Sequence, residues 1–177
     1  MNILTESIFR YIMFIVIRFR FNSEKAAQAG AILLKANGGQ MDNYIFIKML
    51  YLADRQALRR WMEPITGDGS SSMQYGPVLS TIYDLTKGKG GRRDRQAWSP
   101  FINDRDSDTN SVSLKQDPGT EQLSPAEIRI LECIFAEFRD FNWKQMRDYC
   151  HSTVRFPEYD DTVGTSSRPI EPCKLLE

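Results

Sequence analysis

The longest amphipathic pattern in the chain lies between Asp42 and Trp61, and it constrains the fold more than any other feature. Its apolar side chains recur at helical spacing and share one stripe: Phe46, Met49, Leu50, Ala53 and Ala57. Asp42 precedes the stripe as a suitable N-cap. A stripe of this length must be buried against other elements, so the pattern predicts a long helix at the centre of a helical domain.

Four shorter helices are predicted from capping residues and apolar spacing. The clearest start is "SPAE", in which Ser124 and Glu127 form a capping box around Pro125. Pro77 is expected at the first position of another helix, inside "YGPVLSTIYDLTKG". The predicted ranges are about 23–36, 77–87, 125–141 and 143–149.

The remaining segments predict a little β-structure and several loops. "QAWSPFI" and "SVSLKQ" flank a polar stretch and predict a two-stranded hairpin, with Pro100 confining the first strand to an edge. The glycine-rich, cationic segment 87–95, "KGKGGRRDR", predicts a surface loop. The proline-containing tail after Phe156 predicts irregular structure.

The N-terminal segment "IFRYIMFIVIRFRF" has an uninterrupted apolar core of only "YIMFIVI". A bilayer-spanning helix needs roughly 20 apolar residues, so no transmembrane helix is expected there. The alternation of Ile17, Phe19 and Phe21 with polar residues predicts a short edge strand, with an extension outside the domain as the alternative. The predicted fold is mainly α (α+β): a compact bundle of about five helices with a small β-hairpin, and this strand as an optional addition.

Composition removes several classes of function. The chain has 23 basic and 23 acidic residues, so it lacks the basic field expected of a protein dedicated to binding nucleic acid. The three cysteines, Cys133, Cys150 and Cys173, form no CxxC pair, which fits a reducing cytoplasm and no disulfide framework or zinc site. His151 is the only histidine, which excludes sites that need two imidazoles.

The polar side of the long helix is the best candidate for a functional surface. Lys48, Tyr51, Arg55 and Arg59 lie opposite the apolar stripe. Tyrosine and arginine often anchor protein interfaces because each combines a large contact area with a polar end. The alternative is the ordinary solvated side of an amphipathic helix.

Two rival functions remain open at the level of the residues. A small hydrolase could use His151 with Asp54 or Asp84, if folding brings them together. A nucleic-acid-binding regulatory module could use the basic segment 87–95, although its glycines follow a helix instead of preceding one, as a phosphate loop would require.

Three ordered blocks of the sequence resemble the Panacea antitoxin domain, also called the SocA-like antitoxin domain. The first block comprises a "KMLYLAD" helix, a "PITGD" turn and "YGPV" opening a segment that carries "YD". The matching residues are Lys48, Tyr51, Ala53, Asp54, Pro64, Ile65, Thr66, Gly67, Asp68, Tyr75, Gly76, Pro77, Val78, Tyr83 and Asp84. "LSPAEIRIL" is similar to the family's second helix start.

The third block, "YCHSTVRFPEY", resembles the family's closing segment, with His151, Pro157 and Glu158 in place. It departs from the family pattern at Cys150, where threonine is usual, and at Tyr159, where tryptophan is usual. Extra residues also lie before the proline. The resemblance implies a domain over 21–159, after an N-terminal segment 1–20 and before a tail 160–177.

The resemblance implies an antitoxin of a bacterial or phage toxin–antitoxin pair. Such domains neutralise a cognate toxin by direct contact, and a SocA-type member delivers its toxin to a protease. No cofactor, metal or catalytic residue is implied, and neither membrane nor nucleic acid is an expected partner. The expected contact surface combines the helix face with the turns and with side chains near them: Lys48, Tyr51, Arg55, Arg59, Asp68, Tyr75, Tyr83 and His151.

Overall fold

The computed structural model describes residues 19–176. Most of the predicted N-terminal extension or edge strand therefore lies outside the described residues. Residues 19–22 are not part of a strand; Phe19 and Phe21 instead pack, half-buried, against the core.

The described residues form a mainly α domain with small antiparallel sheets, which confirms the predicted fold class. The central helix, α2, packs against α1, α3, α5 and α6. The helices are α1 (Ser23–Ala36), α2 (Asn43–Trp61), α3 (Ser80–Thr86), α4 (Arg92–Trp98), α5 (Pro125–Phe138) and α6 (Trp143–Cys150).

Side-chain caps fix the starts of α1, α2, α5 and α6 where the sequence predicts them. The Asp42 carboxylate accepts a hydrogen bond of 2.8 Å from the Tyr44 backbone N–H at the start of α2. Ser124 and Glu127 form the predicted capping box of α5. Each cap satisfies backbone N–H groups that have no partner inside the helix.

Five short strands form two sheets. They are β1 (Gln40–Asp42), β2 (Ser70–Met73), β3 (Val78–Leu79), β4 (Ser111–Ser113) and β5 (Ser167–Ile170). β1 pairs with β4, and β2 lies between β3 and β5; all of these pairings are antiparallel.

The strand pairing differs from the predicted hairpin. The segment "SVS" does form a strand, β4, but its partner strand is β1. The two predicted arms are joined by an isolated antiparallel bridge between Ile102 and Leu114 and by neighbouring backbone hydrogen bonds, not by a strand pair. "QAW" instead ends helix α4, because Trp98 is buried with its ring centroid 6.3 Å from that of Phe46. This aromatic contact outweighs the strand pattern.

Two predictions about helix starts and loops are corrected. The prediction that Pro77 begins a helix is wrong: Val78 and Leu79 pair with β2, and α3 starts at Ser80. The basic segment 87–95 is not entirely a loop, because α4 starts at Arg92 once Gly91 ends the glycine cluster.

The tail for which irregular structure is predicted contains β5 and two short 3₁₀ helices, Asp161–Val163 and Pro172–Leu176. Pro169 is tolerated in β5 because that strand forms the edge of its sheet. Tertiary pairing with β2 orders a segment whose composition alone predicts little structure.

The core is continuous across all six helices' inner sides and is centred on α2. Among the residues that the structure describes, no helix is both long and apolar enough to cross a membrane.

Candidate functional site: a buried polar network and two exposed grooves

Lys48, expected on a solvated face, is completely buried in α2. Its Nζ donates a hydrogen bond of 2.7 Å to the Pro77 carbonyl oxygen and thereby holds the "YGP" turn against the helix. Burial lowers the pKa of Lys48 to about 7, because an ammonium group loses its hydration in the interior.

Gly76 makes this contact possible. Its φ is +88°, and a Cβ at this position would lie 3.0 Å from Lys48 Nζ and 3.3 Å from Cys150 Cβ. Both the backbone conformation and the space therefore favour glycine.

Tyr51 and Arg55 bind the C-terminal segment. The Tyr51 hydroxyl donates to Glu158 Oε1 at 2.6 Å, and Arg55 Nε donates to the same oxygen at 2.5 Å. The Glu158 side chain has no exposed surface. Burial, together with the adjacent Glu158 carboxylate, raises the pKa of Tyr51 well above its usual range, so the hydroxyl stays a donor.

Two carboxylates hold the "PITGD" turn. Asp54 accepts hydrogen bonds from the backbone N–H and the hydroxyl of Thr66, at 3.0 and 2.5 Å. Asp68 accepts from the backbone N–H groups of Thr81 and Ile82 at the start of α3. Burial raises the pKa of both carboxyl groups, that of Asp54 to about 7.

These contacts form one set, which we call the motif network: Lys48, Tyr51, Asp54, Arg55, Thr66, Asp68 and Glu158. The prediction that Lys48 and Tyr51 face solvent is wrong, because the "YGP" turn and the segment around Glu158 cover that side of α2. The buried position of Asp68 likewise leaves its carboxylate bonded within the fold.

His151 lies next to Tyr159, with ring centroids 5.1 Å apart. Its Nε2 is buried and has no hydrogen-bond partner among the described residues. Burial and then the charges of Lys48 and Arg147 lower the pKa of His151. No hydrogen bond or ion pair joins His151 to Asp54 or Asp84, three residues that the structure describes, so the pairing considered for a hydrolase is not assembled.

Beside the "YGP" turn lies an exposed cleft of about 390 Å³, here called the tyrosine groove after Tyr44, Tyr75 and Tyr83. Tyr75 is 54% exposed. The Tyr44 hydroxyl donates a hydrogen bond of 2.7 Å to the Tyr75 carbonyl oxygen. This bond holds the turn that exposes the Tyr75 ring against α2.

A second cleft, of about 520 Å³, lies between the C-terminal half of α2 and the helices α5 and α6. We call it the arginine groove after four cations that line it: Arg55, Arg59, Arg60 and Arg155. Phe138, Tyr149 and Phe156 also line this groove.

The structure thus divides the predicted contact residues. Tyr75, Tyr83 and the buried Lys48 line the tyrosine groove, whereas Arg55 and Arg59 line the arginine groove. Arg60 and Arg155 are not among the contact residues that the sequence predicts. Arg60 adjoins Arg59 and could have been found from the run "RRW"; only the fold brings Arg155 to the same groove.

In the described range 19–176, no group of three or more histidine, cysteine, aspartate and glutamate side chains is arranged to hold a metal ion. Burial raises the pKa of the Cys150 thiol to about 11, so this thiol is a poor nucleophile near neutral pH.

The protein is a small, mainly helical domain in which buried residues of the motif network hold the "YGP" and "PITGD" turns by hydrogen bonds. The sequence model of the family "Antitoxin SocA-like, Panacea domain" matches residues 46–154, which is more than half of the chain. The chain therefore belongs to the SocA-like Panacea antitoxin family. No curated protein and no solved structure matches it.

Proposed function

We propose that this protein is an antitoxin that neutralises a cognate toxin protein by direct binding. The observation that carries the proposal is the family match over residues 46–154. The matched range contains most of the residues that line the tyrosine groove, including the exposed Tyr75; Asn43, Tyr44, Thr165 and Ser166 lie outside it.

The tyrosine groove is our proposed contact for the toxin. A partly exposed tyrosine beside an apolar cleft offers a large contact area at a low cost in side-chain entropy. Tyr83 lies in the same cleft, under the Lys87 ammonium group, whose Nζ is 3.6 Å from the ring centroid.

The motif network supports binding indirectly. Lys48 and Tyr44 each bond a carbonyl oxygen of the "YGP" turn, so the turn is ordered before a partner arrives. A pre-ordered surface binds more tightly because less conformational entropy is lost on association. In this proposal, Lys48 contributes to binding as a positioning residue below the surface.

The decisive experiment is co-expression with the protein encoded by the adjacent reading frame. Growth that recovers when the antitoxin is expressed is the expected result, and growth that stays arrested would overturn the proposal. Tyr75→Ala should weaken neutralisation, whereas Trp143→Ala, which removes another half-exposed aromatic ring outside the tyrosine groove, should not.

The family resemblance also suggests delivery of the toxin to a protease. The two routes differ in the fate of the toxin: simple neutralisation leaves its cellular level unchanged, whereas adaptor activity shortens its half-life. Immunoblotting after translation is stopped, with and without the antitoxin, separates them.

A further inference from the structure

We propose that the arginine groove binds an acidic segment of the toxin, in addition to the contact at the tyrosine groove. This inference rests on the proposed function and adds the chemistry of a second contact. It starts from the distribution of charge, since a chain with no net charge carries four arginines in one cleft.

Among the residues that the structure describes, three of these arginines have no carboxylate partner. Arg55 is paired with Glu158. Arg59, Arg60 and Arg155 are exposed, and within residues 19–176 none of them forms an ion pair with a carboxylate. Of the described residues that line the groove, Glu137 is the one acidic side chain. The groove therefore carries an excess of positive charge that a partner could neutralise.

Two of the guanidinium groups are already positioned by aromatic rings. Arg55 lies 4.8 Å from the centroid of Phe156, and Arg155 lies 5.0 Å from that of Tyr149. Arg55 already bonds the Glu158 carboxylate, so the stacked group that remains for a partner is Arg155. Its stacking restricts a long side chain before binding, so less entropy is lost when it receives a carboxylate. Arginine also binds carboxylates through two parallel hydrogen bonds.

The apolar part of the lining indicates a protein segment instead of nucleic acid. Leu52, Ile134 and Phe138 lie among the arginines, so the groove can accept an apolar side chain beside a carboxylate. A phosphate backbone would gain nothing from these aliphatic contacts, whereas a peptide segment can place an apolar side chain against them. We therefore assign the occupant as a toxin segment that carries at least one acidic and one apolar residue.

The test compares two charge-reversal variants in direct binding to the protein encoded by the adjacent reading frame. Arg59→Glu with Arg60→Glu alters the groove. Arg92→Glu with Arg93→Glu is the matched control, because it reverses two adjacent, exposed arginines on α4 that do not line the groove. Both variants change the net charge equally, so a difference in their affinities is due to where the reversed charges lie.

Reversal in the groove should weaken the Kd by about 30-fold or more, the loss expected for interface arginine anchors. The control should stay within about threefold of the wild type, in line with a surface charge outside the contact. Arg59→Lys with Arg60→Lys keeps the charge but not the two parallel hydrogen bonds of arginine, so it should lose less affinity than the charge reversal. The affinity of the wild type should also fall as NaCl rises from about 0.05 M to about 0.5 M. The affinity of the groove variant should fall less steeply over the same range.

The outcomes separate the two proposals. A wild type that neither binds nor neutralises overturns the proposed function and this inference together. A wild type that neutralises while the groove variant binds equally well overturns only this inference, as does an equal loss in the control variant. A groove variant that loses binding to a short fluorescein-labelled single-stranded DNA, but not to the toxin, would assign the groove to nucleic acid and overturn the acidic segment. Circular dichroism confirms that each variant is folded.

Discussion

The two halves of α2 carry the same polar pattern but have opposite environments. In the first half, Lys48 and Tyr51 are buried and bonded to distant segments of the chain. In the second half, Arg59 and Arg60 are exposed and have no such partners among the described residues. The difference shows that a polar stripe on a helix is solvated only where nothing else in the fold covers it.

What covers the first half is a pair of segments far away in sequence. The Pro77 carbonyl oxygen accepts from Lys48, and the Glu158 carboxylate accepts from Tyr51. Several residues of the family signature thus act as internal connectors in this protein. A signature residue can be required by the architecture of a binding domain without touching the partner.

The largest expected effects come from substitutions around the buried Glu158 carboxylate. Glu158→Ala should lower the free energy of unfolding by about 3–5 kcal/mol, because Arg55 and the Tyr51 hydroxyl would lose their shared acceptor. Glu137→Ala, an exposed glutamate of the arginine groove, is the control and should change stability by less than about 0.5 kcal/mol. Urea unfolding measures both, and similar values for the two variants would refute the contrast between the regions.

For the same reason, Tyr51→Ala with Arg55→Glu is expected to unfold the protein. This outcome reverses the expectation for an exposed face, since the new glutamate would lie against the buried Glu158 carboxylate. Circular dichroism would detect the loss of structure, and a fully folded double variant would show that the network contributes little.

A smaller effect is expected at the "YGP" turn. Gly76→Ala should destabilise by about 1–3 kcal/mol through its positive φ and its approach to Lys48 Nζ. Gly38 is a matched control, because its φ is also positive, at +76°, but a Cβ there would have no neighbour within 4 Å. Thermal unfolding should therefore show a greater loss for Gly76→Ala than for Gly38→Ala, and equal losses would mean that the Lys48 contact adds no cost.

The buried side chains of Asp54 and Lys48 predict that stability depends on pH, and substitution of each residue tests its contribution separately. The pKa of Asp54 rises from 3.8 to about 7, so between these values the folded chain holds a proton that the unfolded chain lacks, and stability from this group falls as pH increases. The pKa of Lys48 falls from 10.5 to about 7, so above pH 7 the unfolded chain holds the extra proton, and stability from this group rises with pH.

Urea unfolding from about pH 5 to about pH 9 tests both directions. Asp54→Asn should reduce the decline below pH 7, to which Asp68 also contributes because its pKa is raised as well. Lys48→Met should remove the rise above pH 7. The pKa of Cys150 is raised from 9.0 to about 11, so above pH 9 this thiol makes stability fall with pH, opposite to Lys48. The comparison therefore ends at about pH 9. A pH profile unchanged by either substitution would show that these groups titrate alike in the folded and unfolded chains.

The smallest expected effect on stability is in the arginine groove. Arg59→Ala with Arg60→Ala should change the free energy of unfolding by no more than about 0.5 kcal/mol per residue, because both side chains are exposed. The same variant should lose affinity for the toxin if the groove binds it. Strong destabilisation would instead show that these arginines, like Arg55, serve the fold.

The sequence determined the helices and their starts to a large extent. Caps and apolar stripes are local signals, read within one or two turns, and those of Asp42 and Ser124 act in the structure as the sequence predicts. The family resemblance was also available from the sequence, since its motifs are short and ordered along the chain.

Only the tertiary structure decided which polar residues would be buried, which strands would pair and where the grooves would lie. Tyr51 and Glu158 are 107 residues apart, and nothing near either one encodes their hydrogen bond. Helix periodicity separates an apolar side from a polar side, but it does not reveal that a distant carboxylate or carbonyl oxygen will cover the polar side. The exposure of Arg59 beside the burial of Tyr51 therefore follows from the path of the chain after Cys150, which local sequence patterns do not specify.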